Sequence, residues 1–303
     1  MTTRRRLLAL GDAAVGRLWR TRADLRRRRS GTDRTRDSLA SLGGLDDDVR
    51  QDVLSWNAAT AAAHDTYRSQ QTIPAGDVAI ICSSNRPADL ANVAEMVGRQ
   101  RLDGLELVFV AHGDDFDPAS AREAFQPLDG RLSRVRVLHR PTSASLGECL
   151  NHAMAHTNAR FVAKFDSDDR YGAEYLADSL RAHSYADAAL VGKHSYYAYI
   201  ESTGEYVLRY PGNEFRPTST LAGSTFVIDR NQTDDLEFEA ISLGEDRAFI
   251  RACHRRGLTV FAADRFNHVL VRTGANTWQL DRAAVLAKSN LLDGDAETLG
   301  IER

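Results

Sequence analysis

The stretch that decides the fold is FVAKFDSDD, residues 161–169. Phe161 to Phe165 is a β-rich run with the length and composition of a buried strand. It leads without a break into Asp166, Ser167, Asp168 and Asp169, so three carboxylates crowd a four-residue loop at the strand's carboxyl end. Like charges this close repel unless a cation or hydrogen bonds compensate them. Hard divalent cations bind through one or two carboxylates together with phosphate oxygens, so a metal on a diphosphate is one reading. The other is a helix N-terminus, with Asp168 or Asp169 capping a helix expected at Tyr171 and gaining from its dipole. Spacing alone leaves both open.

On the amino-terminal side, β-rich runs alternate with helical stretches. Strands are expected at Val78 to Cys82, Leu105 to Ala111 and Val135 to Leu138, and helices at 88–101, 119–125 and 146–157. That alternation is the mark of a parallel sheet with crossover helices, in which ligands gather at the carboxyl ends of the strands. On the other side, Tyr196 to Tyr210 alternates like antiparallel strands. Further strands are expected at 222–228, 258–262 and 267–271, with helices over 245–256 and from Asn276. The fold class is α/β, a mixed sheet flanked by helices. Residues 1–75 form a basic helical extension, 76–280 the main domain, and 281–303 a C-terminal helix and tail.

Composition narrows the function classes. With 303 residues, 43% hydrophobic and 27% charged, the chain has material for a large core and a pocket. No apolar run approaches the ~20 residues of a spanning helix. Cys82, Cys149 and Cys253 form no CxxC pair, which points to a reducing cytoplasm and away from a disulfide framework or zinc site. Ten arginines fall within residues 1–30, so a peripheral contact of this segment with an anionic membrane face is expected. A disordered basic tail, or a helix packed on its own domain or on a second subunit, is the competing reading. Nucleic acid is not expected as a partner, because the remainder of the chain is acidic. No GxxxxGK[ST] loop is present, which counts against a phosphotransferase.

Four motifs in order carry a resemblance. VAIICSSNRP at 78–87, SLGECLN at 145–151, FDSDD at 165–169 and LGEDR at 243–247 resemble the family 2 glycosyltransferases of the GT-A fold, from about Val78 to Trp278. The resemblance implies a Rossmann-like mixed sheet and an inverting, single-displacement transfer from a nucleoside-diphosphate sugar, with a uridine diphosphate sugar as default, to a glycan, lipid-linked or other hydroxyl acceptor. It implies Mn2+ or Mg2+ on Asp168 with support from Asp169, and His268 as a possible third ligand. Ser83, Asn85, Arg86, Asn151 and Asp166 are expected on the donor nucleotide. Asp246 is expected as the general base on the acceptor, with Glu245 beside it; helix capping is the plainer role for both. The chain departs from the family pattern at VAHGDD, 110–115, where relatives place paired aspartates, so a role of Asp114 or Asp115 on the base is not implied. A binding module that kept the fold and lost turnover is the competing function.

Overall fold

The computed structural model describes Arg68 and residues 72–233, 235–273 and 285–302. Strands β1 (Val78–Ser84), β2 (Glu106–His112), β3 (Arg134–Arg140) and β4 (Phe161–Asp166) alternate with helices α1 (Leu90–Gly98), α2 (Pro118–Ala124) and α3 (Leu146–Met154). The four strands lie parallel in the order β3, β2, β1, β4. β1 and β4 are interior strands, and each is a run of buried residues broken only near its end. Alternate side chains feed two cores. Ile80, Cys82 and Phe109 pack under α1 and α2, whereas Ile81, Val108 and Val110 face Cys149 and Leu150 of α3.

Beyond β4 the sheet changes direction. β10 (Val227–Asp229) pairs antiparallel with β4, and β6 (Leu190–Gly192), β11 (Val260–Ala262) and β9 (Arg216–Pro217) extend it to eight strands. A second sheet of five contains β7 (Tyr196–Ile200), β8 (Glu205–Arg209), β12 (His268–Arg272), β5 (Arg170–Tyr171) and β13 (Ser289–Leu292). β7 and β8 form the antiparallel pair that the tyrosine-rich alternation predicts.

Three expectations change. The helix expected at Tyr171 begins four residues later, as α4 (Tyr175–Ala186), with Glu174 at its N-cap. Tyr171 is instead in β5, its ring stacked on Phe165 at 3.8 Å and 4°, and β5 pairs with β12. Asp168 and Asp169 therefore cap no helix. The C-terminal piece read as helix and tail contains β13, which pairs with β8, and it buries Leu299 and Ile301 in the second sheet's core. The segment 222–228 is split between a 3-10 turn, Gly223–Thr225, and β10.

The helix expected over the arginine-rich residues 1–30 falls, like Trp278, outside the described residues. Arg68, within the extension, is tied to the main domain: its guanidinium grips Asp178 of α4 at 2.8 and 2.7 Å. Among the described residues no helix is long and apolar enough to cross a membrane.

Candidate active site

The three carboxylates after β4 diverge, and each meets a different partner. Asp166 accepts a 2.6 Å bond from Lys164 Nζ and is 40% exposed, whereas Lys164 is 2% exposed. Burial would drive the Lys164 ammonium toward neutrality, but Asp166, Glu245 and Asp246 outweigh it and hold the lysine firmly charged. Asp168 is 23% exposed and pairs with Arg86 at 2.8 Å. The same guanidinium holds Asp89 at 2.8 Å, and Asp89 accepts 2.6 Å from Ser167 Oγ. Asp169 is buried: one oxygen accepts the Val271 N–H at 3.0 Å and the other lies 3.2 Å from His268 Nε2.

The turn Gly223–Thr225 joins this cluster to the second acidic pair. The Ser224 carbonyl accepts the Tyr171 hydroxyl at 2.7 Å, and that hydroxyl accepts the Asp166 N–H at 2.9 Å. Burial raises the Tyr171 phenol well above its ordinary range, so it stays protonated and serves as a fixed donor. Ser224 Oγ lies 3.2 Å from His268 Nε2. A Cβ on Gly223 would stand 2.4 Å from Asp246 Oδ2, so a glycine there lets the carboxylate lie against the backbone.

Asp246 belongs to the first turn of α6 (Glu245–Arg255), which opens at Gly244 in a left-handed conformation, φ 92°. Glu245, at the first helical position, is buried while Asp246 is partly open. Burial pushes the Glu245 carboxyl up, Lys164 pulls it down and Asp246 adds to the rise. Both acids sit where the helix dipole favours negative charge, and Asp246 Oδ1 accepts the Arg247 N–H of that first turn at 2.6 Å.

Of the residues expected on the donor, Arg86 and Asp166 border the cluster. Asn85 lines a neighbouring cavity of about 290 Å³ with Pro87, His112, Asp114, Asp115 and Thr142, at the carboxyl ends of β1 and β2. Ser83 Oγ is buried beside the Cys149 thiol. Asn151 departs from expectation. Its amide nitrogen donates to the Phe238 carbonyl at 2.8 Å and its amide oxygen accepts the Phe238 N–H at 2.9 Å, so the side chain holds a distant backbone segment instead of facing the cluster.

Two of the expected metal ligands face each other: His268 and Asp169 are both buried, Nε2 3.2 Å from Oδ2. Among the described residues no three His, Cys, Asp or Glu side chains are grouped to hold an ion. Asp168 fits the remaining role, being partly open and already drawing a cation, the Arg86 guanidinium, to within 2.8 Å. One protein carboxylate completed by phosphate oxygens and water is an ordinary Mg2+ or Mn2+ environment. Lys164, Tyr171 and Asp89 were missed from sequence. Lys164 left a usable signal, since a lone lysine inside a buried apolar strand demands a nearby anion.

Solved structures share this architecture at low identity. The first 349 residues of S. aureus TarS, in complex with UDP-GlcNAc, superpose with a TM-score of 0.51 and 14% identity over 67% of this chain and 60% of that one. The present chain therefore spans less than two thirds of that neighbour. The mannosyltransferase PcManGT from Pyrobaculum calidifontis, in complex with GDP-Man and Mn2+, gives a TM-score of 0.51 and 15% identity over 73% and 68% of the two chains. These likenesses establish the GT-A fold. No curated protein matches the chain. The model of glycosyl transferase family 2 matches residues 78–238, more than half of the chain and the whole stretch from β1 through the DSDD loop to the Gly223 turn. On that match, and with the fold in agreement, the chain belongs to the family 2 glycosyltransferases.

Proposed function

We propose that the chain transfers a sugar from a nucleoside-diphosphate sugar to an acceptor hydroxyl by a single inverting displacement, with a divalent cation at Asp168 and Asp246 as the general base. The observation that carries the reading is the Gly223–Thr225 turn, which lies against the Asp246 carboxylate at Gly223 and, through the Ser224 carbonyl and the Tyr171 hydroxyl, is joined to the backbone of Asp166. A base must lie within reach of the proton it removes, and Asp246 is the partly open member of its pair.

When bound, Mn2+ or Mg2+ stabilises the charge that grows on the departing diphosphate. Asp166, held by Lys164 and by the Tyr171 hydroxyl through its backbone, is oriented toward the donor ribose. Arg86, which bridges Asp89 and Asp168 at the mouth of the cluster, can turn a guanidinium to phosphate oxygens in the bidentate manner that suits it. The cavity beside Asn85 is of a size to receive a nucleobase. Asp246 takes the acceptor proton as the hydroxyl attacks the anomeric carbon. Glu245 is the buried member of the pair, its carboxyl pushed up by burial and by its neighbour Asp246. The mannosyltransferase and TarS structures hold GDP-Man and UDP-GlcNAc, which supports a nucleotide sugar here without choosing the base. An acceptor in glycan or cell-envelope synthesis fits the family.

Incubation with a panel of nucleotide sugars and Mn2+ or Mg2+, read as nucleoside diphosphate release, tests the reading. At least one donor is expected to be hydrolysed slowly without an acceptor, and a chelator should stop it. Binding of donors with no release under any metal would favour a non-catalytic module.

A further inference from the structure

We propose that the first turn of α3 is the platform that places Asp246, with Gly147 and Asn151 as positioning residues that never touch the substrate. This rests on the reading of Asp246 as the base.

The argument begins with the backbone N–H groups that open any helix and have no partner within it. In α3 the Ser145 hydroxyl takes the Glu148 N–H and the Glu148 carboxylate returns a bond to the Ser145 N–H, a complete capping box. Leu146 and Gly147 remain. Their N–H groups are met from a segment distant in the chain: Leu146 donates to Ser242 Oγ, 96 residues on, at 3.2 Å and Gly147 to the Ile241 carbonyl at 3.1 Å. One turn on, Asn151 holds both polar groups of the Phe238 backbone. The segment 238–242 is thus fixed to α3 by four hydrogen bonds. Its approach is so close that a Cβ at position 147 would lie 1.8 Å from the Glu239 carbonyl oxygen. Backbone there has no room to yield, so glycine is required by contact and not by dihedral angles.

Two residues after this anchored segment the chain turns through Gly244 and enters α6 with Glu245 and Asp246. The carboxylate is confined at its far end by Gly223. Between the two fixed points Leu243 is 63% exposed, and Gly244 is tied only into α6, its carbonyl accepting the Ala248 N–H at 3.0 Å. With α6 seated in the core by Phe249, Ile250 and Cys253, the position of Asp246 is trimmed by α3 and by the Gly223 turn. A displacement of the segment by about an ångström would move the base relative to the donor, and misplacements of that size lower turnover by about 100-fold.

The test compares Gly147→Ala, Asn151→Ala and Asp246→Asn, singly and as the doubles with Asp246→Asn. Release of nucleoside diphosphate from UDP-GlcNAc and GDP-Man is measured with Mn2+, alongside calorimetric affinity for UDP and GDP. Gly147→Ala should lower kcat about 100-fold and Asn151→Ala should lower it less. Nucleotide affinity should stay within about two-fold of the parent, and each double should be no slower than Asp246→Asn alone, because both changes act through one carboxylate. Losses that multiply in the doubles, or nucleotide affinity that falls with kcat, would overturn the platform. If Gly147→Ala does not fold, Ser242→Ala replaces it. That change removes one exposed bond and leaves α3 intact, and it should speed hydrogen exchange in 238–244 but not in α3; unchanged exchange there also overturns the proposal. Wild-type turnover in Asp246→Asn would instead remove the base assignment, a separate outcome.

Discussion

The two acidic groups of this molecule are built on opposite plans. After β4, three carboxylates each meet a hydrogen-bonding partner directly: Lys164 for Asp166, Arg86 for Asp168, and His268 with the Val271 N–H for Asp169. At the start of α6, Glu245 and Asp246 stand side by side in the helix's dipole field, and what fixes them comes from remote backbone at Gly223 and from α3. The first group is compensated by charge and the second is positioned by packing. A carboxylate whose charge is already balanced serves binding, because it can exchange one cation for another. A carboxylate laid against a turn and left partly open can present an oxygen to an acceptor proton, as a base requires. Within the first group Asp169 differs in being buried, one oxygen facing His268 and the other taking the Val271 N–H.

The contrast can be broken most sharply at Asp168. Asp168→Asn removes the expected protein ligand of the cation, and several kcal/mol of leaving-group stabilisation correspond to about a 1000-fold loss of donor turnover. Raising Mn2+ should recover part of it. Full activity of the variant, or of the parent in chelator, would end the metal assignment.

Asp246→Asn should lower turnover about 100- to 1000-fold and leave nucleotide affinity near the parent value. Calorimetry decides: a matching loss of affinity would move Asp246 into the donor group and erase the division.

His268→Ala tests whether Asp169 is a strut. Leaving a buried carboxylate short of one partner costs about 2 kcal/mol, so Tm should fall by about 4–8 °C while the Mn2+ dependence of the rate stays where it was. A weakened metal dependence would place His268 and Asp169 in the coordination shell.

The smallest effect is expected at Glu245. Burial raises its folded pKa above the unfolded value, so the folded chain favours the protonated form. That preference stabilises fully below the unfolded carboxylate range and is lost as pH rises through the folded value. At neutral pH the ionised side chain is therefore a burden, and Glu245→Gln should raise Tm by about 1–3 °C at pH 7, with the gain disappearing below about pH 4. A lower Tm at pH 7 would show that Lys164 compensates Glu245 as fully as it does Asp166.

Much of this was legible without coordinates. The buried runs at Val78, Leu105 and Phe161 needed only composition and length, since an interior parallel strand must be apolar on both faces. The order of motifs located the acids of both groups. Sequence could not say that Asp168 and Asp169 cap no helix, because β5 exists through pairing with β12 a hundred residues on and through the Tyr171–Phe165 stack. Nor could it assign Asn151, whose amide is as suited to a nucleotide as to a backbone, and whose choice of Phe238 depends on a segment 87 residues away. Local order follows from short-range rules of periodicity, capping and charge crowding, which the chain states outright. The pairing of a polar group with its partner depends on which distant segments are brought within 3 Å, and only the packed tertiary structure decides that.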